Sequence, residues 1–136
     1  MVENARKPAP RPYQDTEAYW SAAKNERLIL QRCLDCGKPQ FYPRGVCSHC
    51  LGSQLEWIDA SGRGKVHTFT ISYRAPHPGF AGDVPFVIAI VELEEGVRMM
   101  SNIIGCDPKA VRIDMPVKVV FEQITPDIVL PQFSPA

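Results

Sequence analysis

The sequence predicts a mainly β protein with a short N-terminal helix, a small four-cysteine ribbon and a five-stranded barrel. Three observations support this fold class. Thirteen prolines in 136 residues argue against a helical bundle. Four of the five cysteines form two C-x2-C pairs that are separated by ten residues. Beyond the second pair, apolar residues recur with a period of two, which is typical of half-buried strands.

The chain divides into three predicted segments. Residues 1–14 are polar and rich in proline, and we expect them to form a flexible arm. Residues 15–60 contain the predicted helix and ribbon, and residues 61–136 contain the predicted barrel. The length of the chain allows one ordinary domain or two small modules.

The N-terminal helix is predicted from its capping residues and its aromatic side chains. Asp15 or Thr16 can cap a helix that runs to about Lys24. A helix of this length is unstable alone, so the side that carries Tyr19 and Trp20 must dock on the rest of the chain.

Two matched cysteine pairs predict a metal site. Each C-x2-C pair bends the backbone so that two thiolates converge on one ion, and two pairs complete a tetrahedron. Strands expected near residues 28–33, 41–43 and 55–58 suit a rubredoxin-like ribbon, which is too small to fold without a metal. We expect structural zinc, with iron as the alternative because four thiolates also suit iron. The predicted ligands are Cys33, Cys36, Cys47 and Cys50.

The C-terminal part of the sequence predicts a barrel. A glycine-rich hinge at 61–64 leads into five strands, and a long loop at 74–84 separates the first two. A helical turn at 107–112 lies between the third and fourth strands. A helix in that gap is typical of an OB-fold barrel, and an SH3-like barrel is the alternative. The strands are expected near residues 65–73, 85–93, 97–103, 117–122 and 128–133.

The strand at 65–73 shows the alternation most clearly. His67, Phe69 and Ile71 fall on one face, and Val66 and Thr68 fall on the other. The pattern predicts a half-buried strand with a histidine in the core or at the rim of the barrel.

Composition and charge argue against several classes of protein. The formal net charge is zero, so the chain lacks the basic excess that duplex nucleic acids attract. No stretch approaches the ~20 consecutive apolar residues of a membrane span. The N-terminus has no apolar run of the kind found in secretory signals. We therefore expect a cytoplasmic protein, whose reduced thiols bind metal rather than form disulfides.

A series of short motifs runs through the chain in a fixed order. The motifs are Tyr19-Trp20, Gln31-Arg32-Cys33-x2-Cys36-Gly37, Tyr42-Pro43-Arg44, Gly62-x-Gly64-x-Val66, Pro85-Phe86, Glu95-Gly96-Val97-Arg98, Gly105-Cys106-Asp107-Pro108 and Met115-Pro116-Val117. The ordered set, from Tyr19 to about Phe133, resembles the DUF35 family of zinc-ribbon OB-fold proteins, which is associated with acyl-CoA metabolism. No single motif is specific for this family, but the ordered set with its spacings intact is specific.

The resemblance implies a non-catalytic accessory subunit. Members of this family look like partners of thiolase-fold enzymes, which include thiolases, related aldolases and 3-hydroxy-3-methylglutaryl-CoA synthases. They are thought to bridge subunits or to help bind the CoA part of an acyl-CoA, in lipid or aromatic degradation. The implied partners are therefore a thiolase-fold subunit, in a hetero-oligomer, and a CoA thioester. The resemblance nominates no catalytic residue in this sequence.

Two groups of residues are candidates for CoA binding. Arg63 and Lys65 flank a glycine, where a phosphate can approach the backbone. In the loop 74–84, Arg74 can pair with a phosphate, Phe80 offers a stacking face for adenine, and His77 lies between them. Each group also has an ordinary interpretation, as solvated charges near a linker or as loop residues.

The helix supplies a candidate partner surface. Tyr19 and Trp20 can anchor a partner, because aromatic anchors dominate many interfaces. The alternative is that both side chains pack between helix, ribbon and barrel.

Two other functions remain open. Zinc ribbons and OB barrels also bind single-stranded nucleic acid elsewhere, and Phe69, Tyr73 and Phe121 can stack on bases unless they are core residues. A stand-alone enzyme or a rubredoxin-like electron carrier requires turnover by the isolated chain or an iron-type visible spectrum. The unpaired Cys106 is interpreted as a small apolar filler.

Overall fold

The computed structural model describes residues 7–136, which form one α-helix followed by strands and short 3-10 turns. The helix α1 spans Glu17–Lys24. The strands are β1 Ile29–Cys33, β2 Pro39–Gln40, β3 Leu55–Asp59, β4 Arg63–Ser72, β5 Phe86–Leu93, β6 Arg98–Ile103, β7 Pro116–Gln123 and β8 Val129–Pro135. Within the described residues, no helix combines the length and the apolar character that crossing a bilayer requires. The prediction of a mainly β fold is confirmed.

The first three strands form the ribbon. Strand β1 lies between β2 and β3 in a three-stranded antiparallel sheet. The strands predicted at 28–33 and 55–58 are confirmed as β1 and β3, within one residue at each end. The strand predicted at 41–43 lies instead at Pro39–Gln40. Phe41 and Tyr42 pack instead against Tyr19 of α1, with ring centroids 5.5 and 5.7 Å away. Phe41 and Tyr42 cover the helix, and neither residue belongs to the sheet.

The last five strands close into a barrel in the order β4-β5-β6-β8-β7. The paired strands are antiparallel except β6 and β8, which are parallel and joined through Ile103 and Phe133. A 3-10 turn at Pro108–Ala110 lies in the predicted gap between β6 and β7, and the Asp107 side chain caps it. The five strands and the intervening turn confirm the predicted OB-like barrel.

One hydrophobic core runs from the helix through the ribbon into the barrel. Tyr19 and Trp20 of α1 and Leu30 of β1 belong to it together with Val66 and Phe133 of the barrel. The division into segments 15–60 and 61–136 stays a prediction. Residues 1–6 of the expected flexible arm lie outside the described residues, and its flexibility also stays a prediction.

Strand β4 carries a bulge that changes its alternation. The pairing with β5 shifts between Val66 and Thr68, so His67 lies in the bulge. Val66 is fully buried, Phe69 and Ile71 are half-buried, and His67 is exposed. The prediction of a core or rim histidine is therefore wrong, because the extra residue turns His67 away from the face that Phe69 and Ile71 share.

Candidate metal centre and binding surfaces

The four paired cysteines converge at one end of the ribbon. Their Sγ atoms all lie within 4.8 Å of one another. The Sγ atoms of Cys33 and Cys50 are 3.5 Å apart, and those of Cys36 and Cys47 are 3.6 Å apart. A tetrahedral zinc ion with Zn–S bonds of ~2.3 Å separates its sulfurs by ~3.8 Å. The four sulfurs therefore have the spacing of a closed four-thiolate site, as the sequence predicted.

Each C-x2-C pair forms a tight turn, called here the first knuckle at Cys33–Cys36 and the second knuckle at Cys47–Cys50. Backbone N–H groups of both knuckles point at the sulfurs. The Cys36 N–H donates to Cys33 Sγ over 3.5 Å, and the His49 N–H donates to Cys47 Sγ over 3.3 Å. Gly37 adopts φ +76°, a left-handed conformation that favours glycine, and its N–H donates to the Cys33 carbonyl. The two N–H groups that donate to Sγ favour the charged thiolate, which is the form that binds a metal.

The thiols differ in how easily they ionise. Burial disfavours the Cys47 thiolate, but the N–H groups of Cys50 and His49 and two neighbouring thiols outweigh it and lower its pKa to about 6. The Gly52 N–H favours the Cys50 thiolate, but the Cys33 thiol, desolvation and the remaining thiols raise its pKa to about 12. Four adjacent thiolates repel one another, so a bound cation is needed to hold all of them in the charged form.

Two glutamines brace the second knuckle from inside the ribbon. Gln40 is 4% exposed, and its Oε1 accepts from the Ser48 N–H over 2.7 Å. Its Nε2 donates to Gln31 Oε1 over 2.7 Å, and Gln31 Nε2 donates to the Arg44 carbonyl over 2.9 Å. Sequence reasoning missed both residues, because a lone glutamine carries no signal before its hydrogen-bond partners are known.

The helix aromatics lie inside the molecule. Tyr19 is 3% exposed and Trp20 is 7% exposed. Trp20 Nε1 donates to Tyr42 Oη over 3.2 Å, and desolvation, with a smaller contribution from Tyr42, raises the pKa of Tyr19. The packing interpretation accounts for both side chains. Their contribution to a partner interface stays a prediction.

The first pair of CoA candidates is engaged in surface ion pairs. Arg63 Nε lies 2.7 Å from Glu94 Oε1, and Lys65 Nζ lies 3.8 Å from carboxylates of both Glu92 and Asp114. The hydrogen bond that Arg63 donates to Glu94 raises the pKa of Arg63, and the same bond lowers the pKa of Glu94. An incoming phosphate has to compete with these carboxylates for both cations.

The second group of CoA candidates lies in the loop. Arg74 is exposed, whereas His77 Nδ1 accepts from the Gly79 N–H over 2.9 Å and so caps the 3-10 turn Pro78–Phe80. Phe80 stacks on Phe86 with centroids 5.4 Å apart, and Lys7 Nζ lies 5.1 Å from its ring centroid. One face of Phe80 is therefore covered by protein.

The two CoA candidate groups do not form one cluster. Lys65 is near the first residue of β4, and Arg74 follows its last residue. At ~3.3 Å per residue, the nine intervening steps span ~30 Å along an extended strand. CoA binding by either group stays a prediction.

An apolar groove crosses the outer face of the barrel. The cavity there has a volume of about 300 Å³ and is lined by Phe86, Ile88, Met100, Leu130 and Pro131 among others. Met100 is 67% exposed. A neighbouring cavity shares Met100, Leu130 and Pro131 and continues to the aromatic side chains of the helix and ribbon. The sequence did not reveal this groove, because β5 is apolar on both faces and had the pattern of a fully covered strand.

The candidates for base stacking are divided between core and surface. Phe69 and Phe121 pack against the core, and Tyr73 is 62% exposed just after β4. They form no continuous aromatic platform among the described residues. The nucleic-acid alternative stays a prediction without a structural observation in its favour.

Comparisons with known proteins bear on both halves of the chain. Residues 20–56 match the family model of the ChsH2 rubredoxin-like zinc ribbon domain, and residues 57–122 match the model of the ChsH2 C-terminal OB-fold domain. A DUF35 domain-containing scaffold protein of Methanocaldococcus jannaschii is 43% identical over 101 residues, which are 74% of this chain and 71% of that protein. The chain belongs to the DUF35 family. Its fold is thus a zinc ribbon followed by an OB barrel, as the sequence predicted.

Other relatives of this DUF35 chain carry the names of enzyme subunits. A probable enoyl-CoA hydratase alpha subunit of Thermomonospora curvata is 36% identical over 132 residues, 97% of this chain. The chain spans 41% of the length of that relative. Benzoylsuccinyl-CoA thiolase subunit BbsA of Geobacter metallireducens is 32% identical over 74 residues, 54% of this chain and 48% of that subunit.

A solved structure has the same fold as this DUF35 chain. It is described as the Ltp2-ChsH2(DUF35) aldolase, and the matched chain has a TM-score of 0.84 and 35% sequence identity. The match covers 93% of this chain and 98% of that chain. The similarity therefore extends over helix, ribbon and barrel together.

Proposed function

We propose that this DUF35 chain is a non-catalytic accessory subunit that assembles with a thiolase-fold enzyme and helps to bind the CoA moiety of an acyl-CoA. The observation that carries the proposal is the match, at a TM-score of 0.84, to nearly the whole of a chain from the Ltp2-ChsH2(DUF35) aldolase. Relatives named as hydratase and thiolase subunits support it further. In this role the partner supplies the reacting groups, and this chain positions the substrate.

The apolar groove is the surface that best suits a partner. Met100 is 67% exposed in this groove, and the half-buried side chains of Phe86, Ile88 and Leu130 extend the apolar patch. Apolar surface of this kind stabilises an interface when a partner covers it. The groove also continues to the aromatic side chains of Tyr19, Trp20, Phe41 and Tyr42. A partner that binds in the groove therefore contacts both ribbon and barrel.

Co-expression tests the assembly. The partner to express is a thiolase-like protein encoded beside the gene for this chain, and the complex is measured by size-exclusion chromatography with light scattering. We expect a stable hetero-oligomer that Met100→Glu weakens at least ~10-fold, because the substitution places a charge in an apolar interface. Ile113→Glu is the matched control, since Ile113 is 54% exposed but does not line the groove. Separate elution of the wild-type proteins contradicts the proposal.

Isothermal titration calorimetry tests the CoA part of the proposal. We expect the complex to bind an acyl-CoA at least ~10-fold more tightly than the partner alone, a gain that corresponds to ~1.4 kcal/mol. Equal affinities for the complex and the partner alone contradict a role of this chain in CoA binding.

We also propose that the four-cysteine site holds structural zinc. Cys33, Cys36, Cys47 and Cys50 are the ligands, and four thiolates leave no open position for a substrate. Zinc bound there cross-links the two knuckles and supplies stability rather than chemistry.

Metal analysis of variants tests the zinc site. Cys36→Ser is expected to reduce zinc below half an equivalent and to unfold the ribbon, as measured by elemental analysis and amide NMR. Cys106→Ser, which removes the one cysteine outside the cluster, is expected to keep one full equivalent. Iron in freshly purified protein supports the alternative metal, and an unchanged zinc content in Cys36→Ser contradicts the site.

A further inference from the structure

The cavity that adjoins the apolar groove is bordered by one edge of strand β6. It has a volume of about 460 Å³, which is within the range of ligand sites. Arg98, Met99 and Met100 of β6 line it together with Leu130 and Pro131 of β8. Aromatic side chains of the helix and the ribbon also line it. A space therefore lies beside the first residues of both strands.

The backbone groups of β6 alternate between its two sides. In the turn that leads from β5 into β6, the Leu93 N–H donates to the Val97 carbonyl, so Val97 directs its backbone groups at β5. Successive residues of a strand direct their N–H and C=O groups to opposite sides. Met99 therefore bonds to β5, whereas Arg98 and Met100 direct their N–H and C=O groups away from β5.

The strand on that outer side stops pairing at a proline. Among the described residues, β8 pairs with β6 only through Ile103 and Phe133, where the Ile104 N–H donates to the Phe133 carbonyl. Two residues earlier in β8, Pro131 has the same orientation toward β6 but no N–H to donate. The Pro131 carbonyl accepts from Ser101 Oγ over 3.0 Å. The outward groups of β6 before this point therefore bond to no other strand of residues 7–136.

An unpaired strand edge selects an extended peptide backbone. The free N–H and C=O groups of Arg98 and Met100 recur at every second residue, as the bonding groups of an added strand do. Met100 is 67% exposed, and Leu130 in the same lining is half-buried, so the rim of this edge is apolar. A peptide segment that pairs with the edge covers this rim with its own side chains.

The charges beside the edge select an acidic segment. Arg44 and Arg98 line the cavity, and no carboxylate of the described part of the chain does so. Arg98 Nε donates to Glu92 Oε1 over 3.1 Å, so the charge of Arg98 is compensated. Arg44 Nε donates to the Tyr42 carbonyl, and Arg44 forms no ion pair within residues 7–136. A carboxylate of the bound segment compensates Arg44.

We propose that the edge of β6 at Arg98–Met100 binds an extended, acidic segment of the partner enzyme by strand addition. The segment hydrogen-bonds to the outward groups of Arg98 and Met100 and places a carboxylate at Arg44. Its apolar side chains cover Met100 and Leu130. The inference rests on the proposed function, because it specifies the kind of segment by which the partner binds.

Hydrogen exchange of backbone amides tests strand addition in the wild-type chain. In the free, zinc-loaded protein we expect the amides of Arg98 and Met100 to exchange at least ~10-fold faster than those of Met99 and Ser101, which bond to β5. In the complex with the thiolase-like protein encoded beside the gene, the amides of Arg98 and Met100 should slow at least ~10-fold, while the other two change little. Mass spectrometry with electron-transfer fragmentation resolves the single residues.

A pair of variants at Met100 separates the backbone from the side chain. Met100→Pro removes the outward N–H and leaves the bonds to β5 in place, and proline is tolerated at a strand edge. Met100→Val is the matched control, because it also removes the methionine side chain but keeps the N–H. We expect Met100→Pro to assemble with the partner at least ~10-fold more weakly than Met100→Val, as measured by light scattering over a dilution series.

A second pair of variants tests the charge of the segment. Arg44→Gln is expected to weaken assembly at least ~5-fold at low salt and to reduce its salt dependence, because the lost ion pair is partly screened by salt. Lys118→Gln is the control, since Lys118 is exposed on β7 and lies outside the cavity. Equal assembly of the two variants overturns the acidic character of the segment.

The remaining outcomes distinguish this inference from the proposed function. Equal exchange of Met99 and Met100 in the free chain, unchanged exchange of Met100 in the complex, or equal assembly of Met100→Pro and Met100→Val overturns strand addition. A stable wild-type hetero-oligomer then leaves the proposed function intact. If the wild type assembles with no thiolase-like partner, the proposed function fails, and strand addition fails with it. The exchange measurement decides the case in which Met100→Pro does not fold.

Discussion

Two glycines at the start of β4 allow neighbouring strands to approach closely. Gly62 has φ +79°, and a Cβ added there lies 2.6 Å from Val119 Cγ1 of β7. A Cβ added to Gly64 lies 2.4 Å from the Glu92 carbonyl oxygen of β5. The predicted glycine-rich hinge is therefore a point of close packing between β4 and its two neighbours.

Replacing Gly64 by alanine should destabilise the barrel. The added methyl group meets backbone that cannot move aside, and we expect a loss of ~1–3 kcal/mol in the free energy of unfolding. Gly82→Ala is the control, because a Cβ there has no neighbour within 4 Å. Urea denaturation of both variants measures the difference. An equally stable Gly64→Ala contradicts the packing described for this site.

His67 shows where residue-level prediction fails. Its alternation with Phe69 and Ile71 indicated a shared face, but the bulge after Val66 inserts one unpaired residue and exposes His67. A bulge forms when one strand has an extra residue relative to its partner. The pattern of one strand does not contain that information.

The ribbon depends on more than its four proposed metal ligands. Gln40 bridges β2 to the second knuckle, since it binds the Ser48 N–H, the Val46 carbonyl and Gln31 at once. Partners outside the ligand set commonly tune metal affinity by orienting the ligands. The spacing in the sequence predicted the four proposed ligands, but the glutamines that hold the knuckle became visible only through their contacts.

Gln40→Leu should weaken zinc binding while all four cysteines remain. The substitution leaves buried backbone groups unpaired, each at a cost of ~1–3 kcal/mol. We expect zinc affinity to fall ~10–100-fold in competition with a chromophoric chelator. Gln54→Leu, at an exposed position outside the network, should bind zinc like the wild type. Unchanged affinity in Gln40→Leu indicates that the ligands alone determine the site.

The sequence predicted the position of the helix, but the structure shows a different interaction at its N-terminus from the one predicted. Thr16 occupies the predicted capping position, but its hydroxyl bonds to the backbone of Tyr13 instead of to the helix. Thr16 is fully buried. Tertiary packing of Tyr19 and Trp20 therefore contributes more to the position of this eight-residue helix than a side-chain cap does.

The whole molecule is organised around a core that crosses the predicted segment boundary at residue 60. Backbone hydrogen bonds hold the chain on each side of this boundary, because the Ala60 N–H donates to the Leu28 carbonyl within the first segment and the Val119 N–H donates to the Gly62 carbonyl within the second. The Ser61 N–H donates to Glu95 Oε2 in the turn between β5 and β6. Ribbon and barrel thus share a continuous apolar core, while these hydrogen bonds anchor the chain on either side of the boundary.

We expect the zinc-loaded chain to unfold in one cooperative transition. The fluorescence of Trp20 and Trp57 reports on helix and ribbon, while barrel amides report on β4 to β8 by NMR. Coincident midpoints in urea, within ~0.2 M, follow from a shared core. Separate midpoints instead support two independent domains at 15–60 and 61–136.

At this scale the sequence by itself determined the ribbon, the barrel and the order in which they follow one another. Cysteine spacing predicts a tetrahedral site, and a period of two predicts which strand residues face inward wherever no bulge interrupts the strand, because both are local consequences of backbone geometry. Only the tertiary structure placed Arg63 against Glu94, separated it from the loop candidates, and brought Phe80 of that loop to the apolar groove that Met100 lines. Those relations depend on contacts between residues far apart in the chain, and no local pattern encodes which outer surface a loop will cover.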